Sequence, residues 1–144
     1  MREFKIIDLR SEEVELPVTN DIVCFFIVNN INDENFINNL ASKLLKPTSI
    51  NYIFFGKHEK VWHWGFDEAH IERYPNSTWE TVALTNSWSD IEDFADELYS
   101  TDYAYTPETE VLLYYDDDEI LKKVKELLPI MEQRNLASEE DTET

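Results

Sequence analysis

Apolar positions along the chain follow two alternating rhythms. Glu3–Leu9 (EFKIIDL) alternates with period two, as a strand does. Asp21–Val28 is a nearly unbroken β-branched and aromatic run, which suits a strand covered on both faces. The period then changes. In NDENFINNLASKLLKP, Phe36, Ile37, Leu40, Ala41, Leu44 and Leu45 recur at helical spacing, and Pro47 closes the segment. Ile50–Phe55 predicts a third strand, stopped by Gly56. Residues 58–73 predict a second helix with a Trp62, Phe66 and Ala69 stripe, interrupted by Gly65. Thr78–Thr85 predicts a fourth strand. In the helix that follows, Ser89 is the expected N-cap, with Glu92 three residues on completing a capping box. Its core stripe is Ile91, Phe94, Ala95 and Leu98. Glu110–Tyr115 predicts a fifth strand, and residues 117–133 a last helix that Pro129 should kink or end.

Strands and helices in alternation argue for a sheet with helices packed on it. The expected fold class is α/β: a single domain over 1–135, with about five strands in a mixed or parallel sheet and four helices. Residues 136–144 (ASEEDTET and the leucine before it) are expected to form a disordered acidic tail. Strand order is not legible, and no internal repeat is visible.

Composition sharpens this picture. The 144 residues are 42% hydrophobic and 13% aromatic, enough for a real core. The longest apolar run, Ile22–Val28, is too short to span a bilayer, and the N-terminus lacks the pattern of a signal peptide. The single cysteine, Cys24, lies within that run and reads as a small core hydrophobe. A reducing, cytoplasmic setting is the expectation. Gly56 and Gly65 are the only glycines, so Gly-rich phosphate loops, GxGxxG and GxSxG motifs are all absent.

Charge changes the picture most. The formal net charge is −19, which opposes direct contact with nucleic acid or anionic membrane and favours a cationic partner. The imbalance is local. Between Arg73 and Lys122 lie 48 residues with thirteen acids and no lysine or arginine. Some of these acids fit structural roles: Asp116 or Asp117 could cap the last helix, and a solvated face accounts for others. Ordinary surfaces, however, mix the two signs. Aromatic residues are interleaved with the acids, which is a fitting composition for a protein-binding surface. The candidate partner-binding residues are Trp88, Asp90, Asp93, Asp96, Glu97, Asp102, Tyr103, Tyr105, Tyr115, Asp116, Asp117 and Asp118.

Two catalytic readings are weaker. The stretch VLLYYDDDEI resembles the nucleophile motif of haloacid dehalogenases, an apolar strand followed by D-x-D. In that family the motif opens the fold, whereas here it begins the last strand–helix unit. The three histidines fall within HEKVWHWGFDEAH, where His63, Asp67 and His70 share a helical face. Two imidazoles and a carboxylate suit zinc, but the spacing is not HExxH and a fourth ligand is missing. No cofactor is expected.

Trp62, His63, Phe66, Asp67, Glu68 and Ala69 after a strand and Gly56, then Thr85, Ser87 and Trp88 before the acidic helix Asp90–Leu98, resemble a family of small uncharacterised acidic bacterial α/β domains. The resemblance covers residues 50–115 and implies the fold alone. In size, acidity and scarcity of glycine the chain is also similar in style to immunity proteins of polymorphic-toxin and contact-dependent inhibition systems. The functional expectation is a non-enzymatic immunity protein that neutralises a cognate basic toxin, such as a nuclease. The alternatives are a nucleic-acid mimic that inhibits a DNA- or RNA-binding protein, and a metal-dependent enzyme.

Overall fold

Five strands form one sheet in the computed structural model, which describes residues 4–18, 22–45, 51–74, 84–104 and 109–142, the side chains of 84–87, 102–104 and 138–142 excepted. They are β1 (Lys5–Asp8), β2 (Ile22–Ile27), β3 (Asn51–Phe55), β4 (Leu84–Trp88) and β5 (Glu110–Tyr115). Their order across the sheet is β1-β5-β2-β3-β4, and every neighbouring pair is parallel. Among the described residues four helices accompany the sheet: α1 (Glu34–Leu44), α2 (Glu59–Arg73), α3 (Ile91–Ala104) and α4 (Asp118–Thr142). The α/β expectation therefore holds, and the sheet is parallel rather than mixed.

The central strand explains the unbroken apolar run. All six residues of β2 are buried, because both sheet faces are covered by helices. Side chains alternate between the faces. Cys24, Phe26, Tyr52, Phe54, Leu112 and Tyr114 meet α1 and α2 on one face. Val23, Phe25, Ile27, Ile53, Val111 and Leu113 meet α3 and α4 on the other. The result is a three-layer domain with two cores.

The α1/α2 core is organised by rings. Phe26 pairs in register with Phe54 on one side and Tyr114 on the other, and stacks on both at 5.0 and 5.2 Å between centroids. Trp62 and Phe66 of α2 close over it at 5.5 and 5.2 Å. Such pairs contribute beyond their buried area, by about 0.5–1.5 kcal/mol each. The Tyr114 hydroxyl donates to the Glu15 carbonyl at 2.9 Å. With the Val18 N–H donating to Glu110 at 2.8 Å, it pins the segment after β1 across this face. Leu9 and Val14 from that segment join the same core, and the described part of the β1–β2 crossover, residues 9–18, contains no helix.

Several boundaries differ from the sequence reading. The fourth strand, Leu84–Trp88, ends three residues beyond the predicted Thr85, and the predicted start at Thr78 lies outside the described residues. The N-cap of α3 is Asp90, not Ser89: its carboxylate accepts from the Glu92 N–H at 2.8 Å, and its carbonyl from the Phe94 N–H at 3.1 Å. An aspartate one residue nearer the helix displaces the serine from this role. Helix α4 passes through Pro129 and continues to Thr142, across most of the span read as a tail. Pro129 sits on the exposed side, where water can take the carbonyl that loses its helical partner.

Gly56 ends β3 with φ 130°, a conformation side chains rarely adopt. A Cβ there would stand 2.5 Å from the Val28 carbonyl oxygen, the same oxygen that accepts from the His58 N–H. Gly56→Ala should therefore lower stability by at least about 1–3 kcal/mol from backbone strain alone. A thermal midpoint equal to wild type would show that the turn relaxes without cost.

Candidate functional site

The carboxyl edge of the sheet is where its chain reversals concentrate. Helix α1 leaves β2 toward one face, and α4 leaves the adjacent β5 toward the other. Sheets of this kind take their ligands in the crevice at such a switch point. Here a side chain of the protein lies in that position. Asp116 is 0% exposed. Its carboxylate accepts from the backbone N–H groups of Asn29, Asn30 and Ile31 at 2.8, 3.1 and 2.7 Å. Its own N–H donates to the Ile27 carbonyl at 3.1 Å, and its carbonyl accepts from Asn30 Nδ2 at 2.8 Å. Three successive main-chain donors form a nest for an anion, and the anion is Asp116.

Asn29 ties this nest to its surroundings. Its side-chain N–H donates to Asp117 at 2.9 Å, and its carbonyl oxygen accepts from the Lys57 N–H at 3.0 Å. Three strand ends, those of β2, β3 and β5, thereby share one polar network. Asp117 is the cap of α4, accepting from the Ile120 N–H at 3.0 Å. That bond, then the Asn29 amide, holds its carboxyl below the usual range. On the far side Arg10 bridges two acids. It lies 2.9 Å from Asp8 and 2.8 Å from Asp118, and its guanidinium sits 5.5 Å from the centre of the Tyr115 ring. The Arg10 hydrogen bond holds the Asp8 carboxyl down as well.

The acidic cluster of Asp116, Asp117 and Asp118 thus divides by role. Asp116 is withdrawn from the surface, which corrects its assignment as a partner contact: a buried carboxylate with three donors has no oxygen to offer. Asp117 is engaged as a cap. Asp118 stays exposed but shares both oxygens with Arg10. Tyr115 is half-buried against the α3/α4 core.

The acids of α3 are differently placed. Asp90, Glu92, Asp93 and Asp96 are exposed, and no cation pairs with them among the described residues. Glu92, Asp93 and Asp96 form one wall of a groove of about 380 Å³ between α3 and α4. Tyr99 and Met131, both mostly buried, lie at its base. Arg134 of α4 is its one basic lining residue among those described. Trp88 is half-buried in the same core, and its indole N–H donates to Glu97. Trp88 and Glu97 therefore brace the middle of α3 against the end of β4. Tyr105, and the side chains of Asp102 and Tyr103, lie outside the described residues.

The histidine face does not assemble. His63 is 3.4 Å from Asp67 and its ring stacks on Phe54 at 5.9 Å. His70 is buried beside Tyr74, and its burial, outweighing the Asp67 charge, depresses its pKa. Among the described residues no three His, Cys, Asp or Glu side chains converge as metal ligands. Shared helical phase brought these three to one face, but packing draws His70 inward while His63 stays near the surface.

The residues that the sequence did not single out are Asn29, Asn30, Arg10 and Arg134. The NNIND stretch after a buried strand is a turn signal, yet nothing in it announces an anion nest. Among the described residues no helix is long and apolar enough to cross a membrane. Compared with protein-family models, with curated proteins and with solved structures, the chain has no match. Its function is accordingly argued from the chemistry of these surfaces.

Asp116→Ala would leave three part-buried backbone donors without their carboxylate, at a cost of up to about 1–3 kcal/mol each. Loss of several kcal/mol in urea unfolding is expected, and a change below about 1 kcal/mol would mean the nest is hydrated instead. Asp117 gives a signed pH dependence. Its folded pKa lies below the 3.8 of an ordinary aspartate, so its stabilisation is full above that value and is lost as pH falls through the folded pKa. The stability advantage of wild type over Asp117→Ala should be constant near neutrality and shrink below pH 3.8. An advantage that grows on acidification would reverse the assigned charge role.

Proposed function

We propose that this chain is a binding protein of the immunity type, which neutralises a cationic toxin by laying the acidic face of α3 against it. The observation that carries the proposal is the division among the acids. Those after β5 hold the fold together, whereas Glu92, Asp93 and Asp96 of α3 are exposed and together border a groove with a partly apolar base. A surface of one sign raises the on-rate of an oppositely charged partner. Tyr99 and Met131 offer the groove base to an inserted side chain. The occupied switch point also supports a binding role, since Asp116 fills the crevice where an α/β sheet of this topology would place a substrate.

The mechanism is electrostatic capture followed by occlusion. Carboxylates of α3 attract lysine and arginine around a cationic cleft, and the groove then receives one of those side chains. Arg134 opposes this attraction and tempers the field at the groove. The test begins with capture of the tagged protein's stoichiometric partner from its source cells at low and high salt. Growth inhibition by that partner is then measured with and without this chain. The expected partner is one basic toxin domain whose binding weakens with salt. Several DNA-binding proteins released by competing DNA would point to mimicry instead.

Asp93→Lys with Asp96→Lys should slow association about tenfold at low salt and weaken protection. Arg134→Ala should speed association. If the double variant protects and binds as wild type does, α3 is not the interface.

A further inference from the structure

Helix α2 carries two apolar stripes. Trp62, Phe66 and Ala69 face the sheet and are buried. Val61, Trp64 and Ile71 lie almost opposite, at helical spacing, and are 37%, 71% and 66% exposed. Lys60 and Glu68, both exposed, also lie on that outer side, Glu68 next to the groove and Lys60 outside its lining. Exposed apolar residues scattered singly are ordinary, but a helical row led by a tryptophan marks a contact surface. The row borders a groove of about 410 Å³ between α1 and α2, lined by Glu34, Ile37, Val61, Trp64 and Glu68 among others. Gly65 makes this groove possible. A Cβ there would stand 2.7 Å from Ile37 Cγ2, so the glycine lets α1 approach closely while Trp64 projects beside it.

We propose that the α1–α2 groove is a second docking surface, for a basic amphipathic helical segment of a partner protein. Charge selects the occupant. Among the described residues the groove lining holds two carboxylates, Glu34 and Glu68, and no basic side chain. An arginine or lysine set over the Trp64 indole would meet both the ring face and a carboxylate, while apolar residues one turn away cover Val61 and Ile71. A second copy of this chain fits poorly. Pairing two such faces would bring the carboxylates of both copies together on bodies of net charge −19 each. The surface lies on the opposite side of the sheet from α3, so the chain could hold two partners, or two parts of one, without competition between them.

The test uses a synthetic Leu/Arg peptide patterned as an amphipathic helix. A scrambled peptide of the same composition controls for net charge. Titration of the full chain is followed by the tryptophan indole and backbone amide NMR signals. The patterned peptide should shift the Trp64 indole and the α1 and α2 amides, and should bind about tenfold tighter than the scrambled one. Trp64→Ala and Glu68→Lys, both surface changes, should each weaken binding about tenfold. Asp93→Lys with Asp96→Lys should leave the location of the shifts unchanged, which keeps this surface distinguishable from α3. The proposal is overturned if the shifts centre on α3, if the scrambled peptide binds equally well, or if both α2 variants bind as wild type. Sedimentation showing a dimer that Trp64→Ala dissolves would also overturn it, by making a second copy the occupant.

Discussion

Burying a carboxylate is unfavourable unless its charge is met by donors, and the carboxyl end of this sheet is built around meeting that demand at Asp116. The donors come from the turn between β2 and α1, so the end of β5 and the start of α1 must sit together for either to be satisfied. Asn29 extends the constraint to the turn after β3 and to the cap of α4. The Ile31 carbonyl, next to one of those donors, accepts from the Trp62 indole at 2.8 Å and links the nest to α2. A single buried charge thereby sets the relative position of three strands and three helices.

This arrangement separates two uses of negative charge on one chain. At the sheet edge the acids are internal ligands, partnered by backbone donors, a cap position or Arg10. On α3, Glu92, Asp93 and Asp96 pair with no basic side chain among the described residues, and their mutual repulsion is tolerated because solvent screens it. The two cores supply the stability that such repulsion subtracts. The ring row across β5, β2 and β3 concentrates aromatic contact on the α1/α2 side, while the α3/α4 side is built mainly from aliphatic residues around Phe25 and Phe94.

Legibility from sequence followed how local each signal was. Element type was readable wherever periodicity ran for a full segment: the limits of β5 match the predicted Glu110–Tyr115, and the buried run of β2 announced a central strand. Boundaries differ where a competing residue stands close by, as Asp90 beside Ser89, or where the strand outruns its apolar signal, as β4 does in reaching Trp88. Pro129 predicts a kink or an end because proline removes a donor. At an exposed position the helix loses one hydrogen bond and continues.

The candidate site divides along the same line. Sequence by itself determined the α/β alternation, the core-facing residues of β2, α1 and α3, the excess of acid after Arg73 and the lack of a glycine-rich loop. Each of these is a property of neighbouring residues or of composition. Only the tertiary structure decided which acids face solvent. Asp116, Asp117 and Asp118 are adjacent in the chain and nearly identical in chemistry, yet one lies buried, one caps a helix and one pairs with Arg10. The cap bond of Asp117 is local, but the donors that hold Asp116 and Asp118 come from residues far away in sequence. Long-range partners of that kind leave no local pattern, because the groups that matter at Asn29, Asn30 and Ile31 are backbone amides, which nearly every residue possesses.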